Sequence, residues 1–171
     1  MAKNDTIPYR EVQYLRQVWL LVIVLVISGL AIYAMVQQLI LGKPFGEHPA
    51  SDTAMIAIGV LIGFALPVFL YTSRLITEVR NDGLYFKFFP FHLSFHRIAF
   101  EDLNSYEVRT YNAIKDYGGW GIRYGKEGKA YNISGNQGIQ LELFNGEKIL
   151  IGSQRPEELS HAIASVSKCP Q

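Results

Sequence analysis

Residues 53–73 read TAMIAIGVLIGFALPVFLYTS, a run without a charged side chain. About 20 mainly apolar residues of α-helix cross the hydrocarbon core of a bilayer, so this stretch is long enough to span one. It also divides the chain. Before it lies a second uncharged run, residues 18–41, VWLLVIVLVISGLAIYAMVQQLIL. After it, from Ile76 onward, the hydrophobic period changes to two, the signature of strands with one buried face. Reading outward from residues 53–73 therefore gives a membrane half followed by a soluble half.

The run at 18–41 is longer than the 7–15 apolar residues of a signal-peptide core, so it reads as a retained signal-anchor helix. Trp19 and Tyr71 stand where interfacial aromatics belong, and Gln37 and Gln38 fall near the far end of the first helix, within reach of headgroups. The intervening segment 42–52, GKPFGEHPASD, is short, breaks helices with Gly and Pro, and carries Lys43 as its one basic residue. The outer flanks carry Lys3, Arg10 and Arg16 on one side and Arg74 and Arg80 on the other. Lys and Arg stay on the cytoplasmic side, so both termini are expected in the cytoplasm and the short loop outside. The chain then divides into a cytoplasmic segment 1–17, spans 18–41 and 53–73, an external loop 42–52 and a cytoplasmic domain 76–171.

Gly59 and Gly63 are spaced for close approach of two helix backbones. Two partners fit that spacing: the first helix of the same chain, or a second copy in a homodimer. Pro67 is expected to bend the second helix or loosen its last turn. Neither span contains Asp, Glu, Lys, Arg or His. Ionisable groups at membrane depth mark ion and proton pathways, so a pump or transporter is disfavoured.

Net charge is +1, without the basic excess that nucleic-acid binding would want. The one cysteine, Cys169, can neither close an internal disulfide nor build a zinc site alone.

In the soluble half, Ile76–Asn81 and Leu84–Phe89 read as strands joined by Asp82-Gly83, a favoured two-residue turn. Further strands are expected at Leu93–Phe100, at Leu103–Tyr111, through Trp120, Ile122 and Tyr124, and through Tyr131 and Ile133. Asn112–Gly119 reads as a polar connection. The strongest hairpin is IQLELFNGEKILIG, with Ile139, Leu141, Leu143, Ile149 and Ile151 on the buried face and Asn145-Gly146 at the turn. Seven or eight short strands with regular turn signals suggest a small barrel or sandwich. Pro156 opens a helix, Glu157 and Glu158 suit its first turn, and Leu159, Ala162, Ile163 and Val166 form an apolar stripe. That helix is expected to cover an open end of the barrel.

The order of elements resembles small bacterial membrane proteins with two transmembrane helices and a pleckstrin-homology-like domain. The stretch that carries the resemblance is GGWGIRYGKEGKAYNISGNQGIQLELFNGEKILIGSQRPEELSHAI, whose GWGIR, YNISG and ILIGSQRPEEL pieces look like the last strands and capping helix of that group. ITEVRNDGLYFKFFPF is similar to its first hairpin. The resemblance implies a seven- or eight-stranded barrel capped by one helix. It transfers no catalytic residue, and fold likeness does not fix function.

Catalytic and metal chemistry finds little support. His92 and His96 read as strand positions roughly 13 Å apart, too far to share a metal. Gly118, Gly119, Gly121 and Gly125 do not match a phosphate loop, and a strand follows them where a helix N-terminus is needed. No nucleophile elbow surrounds a serine. Arg123 is expected on the solvated strand face opposite Trp120 and Tyr124. Pleckstrin-homology domains hold inositol phosphates with basic residues near their first loop, and the candidates here are Lys87, His96 and Arg97. The intervening FFPFHLSF is aromatic instead, which departs from that pattern. Phe89, Pro90 and Phe91 have two readings: contact with the membrane surface, because aromatic side chains favour the interface, or filling of the barrel core, because small barrels need large apolar residues inside.

The reading that follows is a noncatalytic, membrane-anchored interaction or scaffold module in the cell membrane, without cofactor or metal. Its partners are the bilayer and another protein or a second copy, and nucleic acid is not among them. A lipid-binding or lipid-sensing domain is the alternative, and an accessory enzyme with an unrecognised site a weaker one.

Overall fold

A computed structural model describes residues 8–15 and 17–167. Lys3, Arg16 and Cys169 lie outside them. The chain forms two compact units, one of residues 16–72 and one of residues 1–15 with 73–171.

The first unit is a pair of helices, α1 (Val18–Leu39) and α2 (Asp52–Thr72), each long and apolar enough to cross a membrane. Large apolar side chains such as Leu25, Val26, Leu61 and Phe64 face outward. A helix that is apolar all round cannot be stable against water unless something covers it. Ser51 caps α2, its hydroxyl accepting from the Ala54 amide at 3.3 Å. Gln38 does not point away toward headgroups. Its amide donates to the Ala50 carbonyl at 2.8 Å and to Asp52 at 2.9 Å, tying α1 to the start of α2.

Pro67 acts on α2 in a specific way. The segment Gly59–Ala65 is a π-helix, in which the Leu66 amide donates to the Leu61 carbonyl rather than to Ile62. In that register the Ile62 carbonyl would be served by the amide of residue 67, and proline has none. The Ser28 hydroxyl of α1 donates to it instead, at 2.8 Å. An orphaned carbonyl is costly away from water, so this bond satisfies α2 and joins the helices at once. Gly59 and Gly63 face the same side: a Cβ on Gly63 would stand 2.7 Å from Ile32, and one on Gly59 would collide with Met35.

The second unit holds two sheets. The first is antiparallel in the order β1-β2-β3-β4, formed by β1 (Tyr9–Tyr14), β2 (Arg74–Arg80), β3 (Gly83–Phe89) and β4 (His96–Ala99). The second has the order β5-β8-β9-β7-β6, formed by β5 (Leu103–Thr110), β6 (Gly121–Gly125), β7 (Gly128–Asn132), β8 (Gln137–Leu143) and β9 (Lys148–Gly152). Within it β7 pairs parallel to β9, and the other pairings are antiparallel. The strands thus form two separate sheets of four and five strands rather than the expected barrel of seven or eight. β4 is four residues long and ends in the 3₁₀ turn Phe100–Asp102, after which β5 begins a separate sheet.

Leu75, Val79, Leu84, Phe86 and Phe88 from the first sheet meet Tyr106, Tyr131, Ile139, Leu141 and Ile151 from the second in one core. The helix α4 (Pro156–Val166) packs on β1 and β2 of one sheet and β5 and β8 of the other. Its Leu159 and Ile163 are fully buried there. A shorter helix, α3 (Ala113–Tyr117), occupies the expected polar connection. It covers the outer side of the second sheet, where Tyr111, Ala113 and Tyr117 pack on Ala130 and Leu150.

Two further features differ from expectation. The segment before α1 supplies a strand, β1, that pairs with β2 along its whole length, from Tyr9↔Val79 to Tyr14↔Arg74. The first tight turn is Asn81-Asp82 rather than Asp82-Gly83, because Arg80 pairs with Gly83. Gly83 is needed for another reason: a Cβ there would collide with the Ile98 carbonyl of the neighbouring strand.

Candidate functional site

The candidate residues of the sequence lie on or beside the first sheet, and strand parity decides which can act together. Successive side chains alternate between faces. Leu75, Thr77, Val79, Leu84, Phe86 and Phe88 are buried toward the core. The opposite, outer face therefore carries Arg10, Tyr14, Arg74, Glu78, Arg80, Tyr85, Lys87, Phe89 and Arg97.

This outer face is basic and aromatic. The Arg80 guanidinium stands 4.2 Å from the Tyr85 ring centre and 5.3 Å from that of Phe95, and Arg74 stands 5.3 Å from Phe89. Such cation–π contacts hold long cationic side chains flat against a sheet. Glu78 is the buried counter-charge, accepting from Arg80 at 2.7 Å and bridging Arg10 at 3.3 Å.

The three headgroup candidates do not converge. Lys87 and Arg97 share the outer face, whereas His96 pairs with Phe86 and stacks on its ring, toward the core side. Lys87 donates to the Leu93 carbonyl at 2.7 Å, and Arg97 is held by Asp82 at 3.1 Å. Two cations occupied by neighbours and one histidine on the other side make no phosphate cradle, which needs several donors aimed at one point.

The turn between β3 and β4, residues 90–95, is held firmly. The His92 amide donates to the Phe88 carbonyl at 2.8 Å, the Phe88 amide donates to His92 Nδ1 at 3.4 Å, and Lys87 grips Leu93 from the outer side. His92 is therefore a turn residue, not a strand residue. Its ring lies 4.0 Å from that of His96, not at strand spacing, and 5.7 Å from Tyr131. Burial lowers the His92 pKa, helped by the neighbouring His96 and Lys129. Among the described residues no group of three or more His, Cys, Asp or Glu is placed to hold a metal.

Of the three aromatic-turn candidates, Phe89 is half-covered under Arg74 and Pro90 is also half-buried, while Phe91 is 62 % exposed. Leu93, which sequence reasoning did not single out, is 81 % exposed. Arg123 is exposed, and its side chain donates to the Trp120 carbonyl at 3.1 Å.

A second constellation was missed entirely. Glu11 of β1 points inward and is buried, accepting from Tyr9 Oη at 2.7 Å, Ser153 Oγ at 2.7 Å and the Gln154 amide at 2.8 Å. Burial raises the Tyr9 pKa well above the ordinary phenol value, so this hydroxyl stays a donor. Gln13, two residues on, donates to the Gly152 carbonyl at 2.7 Å. The arrangement is a lock between the first strand and the junction of β9 with α4.

No curated protein matches the chain. The model of a family of unknown function, DUF6141, matches residues 1–169, nearly the whole chain, and the protein belongs to that family.

Proposed function

We propose that the chain is an integral membrane protein whose soluble unit is a pleckstrin-homology-like interaction module, without catalytic activity of its own, on the cytoplasmic side of the cell membrane. The observation that carries the reading is connectivity. The paired neighbouring strands β1 and β2 each continue into one of the two apolar helices: β1 ends at Tyr14 and α1 begins at Val18, while α2 ends at Thr72 and β2 begins at Arg74. A flexible tether would be several Gly, Ser or polar residues long. Here the sheet and both helices are joined almost directly, which suits a module anchored at a membrane. The pleckstrin-homology-like assignment is supported by two facing sheets with a C-terminal helix packed on strands of both. The cytoplasmic placement is supported by the basic flanks of the spans.

The surface offered to a partner is the outer face of the first sheet. Arg10, Arg80 and Arg97 outnumber Glu78 and Asp82 there, so an acidic segment of another protein fits its charge. The test is a photo-crosslinking residue at Tyr85 in the full chain in native membranes. A discrete protein adduct that disappears when Arg80 and Arg97 are replaced by Glu supports the reading. Adducts to lipid alone favour a lipid-sensing domain, and an adduct of twice the chain's own mass a homodimer.

A further inference from the structure

The two ends of the first sheet differ in kind. At one end are the Asn81-Asp82 turn and Arg97, polar and ion-paired. At the other, Tyr14 pairs with Arg74 and Arg74 with Phe89, so the end of β1, the start of β2 and the end of β3 lie together. Both connections to the apolar helices leave from this second end. So does the turn 90–95, which carries Phe91 and Leu93 outward.

The turn is not a loose loop whose apolar residues are exposed by chance. Its backbone is bonded to Phe88 on one side and to Lys87 on the other, and the paired rings of His92 and His96 lie beneath it. Phe91 and Leu93 stand two residues apart in that turn, a local apolar pair rather than a single exposed side chain. Tyr14, 39 % exposed, adds a third large apolar side chain at the same sheet end, and Arg74 and Lys87 flank it with positive charge. Apolar tips flanked by cations match the interfacial zone of a bilayer, with chains below and anionic headgroups around.

We infer that the 90–95 turn is a membrane-inserting element, Phe91 and Leu93 entering the bilayer surface on the side where the helices emerge, with Lys87 and Arg74 at headgroup level. The partner of this surface is lipid rather than protein. The inference rests on the reading that α1 and α2 lie in the bilayer, and it replaces Phe89 and Pro90 by Leu93 as the contacting residue beside Phe91.

The test uses the full chain with Cys169→Ser, reconstituted in nanodiscs whose lipids carry brominated acyl chains. Single cysteines at Leu93, at Asn81 and at Leu25 of α1 take an environment-sensitive fluorophore. Leu93 and Asn81 are both exposed turn positions about 20 Å apart along the hairpin, so a label disturbs neither core nor pairing. Quenching at position 25, with quenching at 93 several-fold above that at 81 and reduced by Phe91→Asp, is the expected result. Quenching at 25 with equal, weak quenching at 93 and 81 overturns the inference and leaves the anchored reading standing. An unquenched label at 25 overturns the anchored reading and this inference with it.

Discussion

Replacing Glu11 by Ala should unlock the first strand from the rest of the soluble unit. The carboxylate has three donors, Tyr9 Oη, Ser153 Oγ and the Gln154 amide, all within 2.8 Å. Hydrogen bonds to a charged group contribute about 1.5–3 kcal/mol each, but desolvation of the buried carboxylate offsets much of their sum. Truncation also leaves the Tyr9 and Ser153 hydroxyls and the Gln154 amide without their acceptor, at about 1–3 kcal/mol for each buried donor so stranded, and the net loss should be about 3–5 kcal/mol. With a urea dependence of about 1–3 kcal/mol per molar, the midpoint should fall by roughly 1–5 M. The assay is urea unfolding of the full chain in nanodiscs, read from Trp120 fluorescence in a Trp19→Phe background. Glu11→Gln keeps one acceptor oxygen and should lose less. Arg10→Ala, on the exposed face of the same strand, should lose about 1 kcal/mol or less. If Glu11→Ala unfolds within about 0.5 kcal/mol of the parent, the first strand does not belong to the soluble fold.

Other perturbations probe separate parts. Gly128 has φ +95° and a Cβ there would strike the Lys148 carbonyl, whereas Gly146 has φ +82° and open space around it. Gly146→Val should cost about 1–2 kcal/mol from backbone strain alone, and Gly128→Ala should cost more than Gly146→Ala in the same melt. Leu159→Ala or Ile163→Ala should each cost about 2–5 kcal/mol, since both are fully buried between the sheets; a near-parental melt would mean α4 is not part of the core. The His92 pKa is lowered in the fold, so the unfolded chain binds the extra proton first and stability falls as pH drops through about 6.5, levelling off below the folded-state value. His92→Gln should flatten that part of the stability profile, and an NMR titration of His92 should show a midpoint below that of a free histidine.

Much of this architecture was legible in the sequence where a single physical signal ran long enough. The helices announce themselves by uninterrupted apolarity, and α4 by Pro156, its acidic first turn and the Leu159–Ile163 stripe. The first strand was not legible because its inward residues are Tyr9, Glu11 and Gln13. They serve polar groups at Gly152, Ser153 and Gln154, more than a hundred residues away, instead of forming an apolar face. Helix α3 has five residues, too few for a period. Its signals were the end groups alone: Asn112, which accepts from the amides of Ile114 and Lys115, and Gly118 in the left-handed conformation. Strand parity already separated His96 from Lys87 and Arg97, so their failure to converge was derivable. The contact of His92 with His96 was not, because treating residues 92–96 as extended conceals the turn that folds one ring onto the other. Leu93 escaped notice for the same reason: its exposure follows from the turn, not from composition.

The central claim is that α1 and α2 cross the membrane, with the sheets on the cytoplasmic side and residues 42–52 outside. The most direct test is labelling of single cysteines in intact cells with a membrane-impermeant maleimide, in the Cys169→Ser chain. Phe45→Cys, in the connection between the helices, should react in intact cells, whereas Asn145→Cys, in the turn between β8 and β9, should react only after permeabilisation. Reaction at 145 but not 45 in intact cells would invert the topology. Protection of both sites until permeabilisation, with the chain recovered in the soluble fraction, would contradict the membrane reading itself.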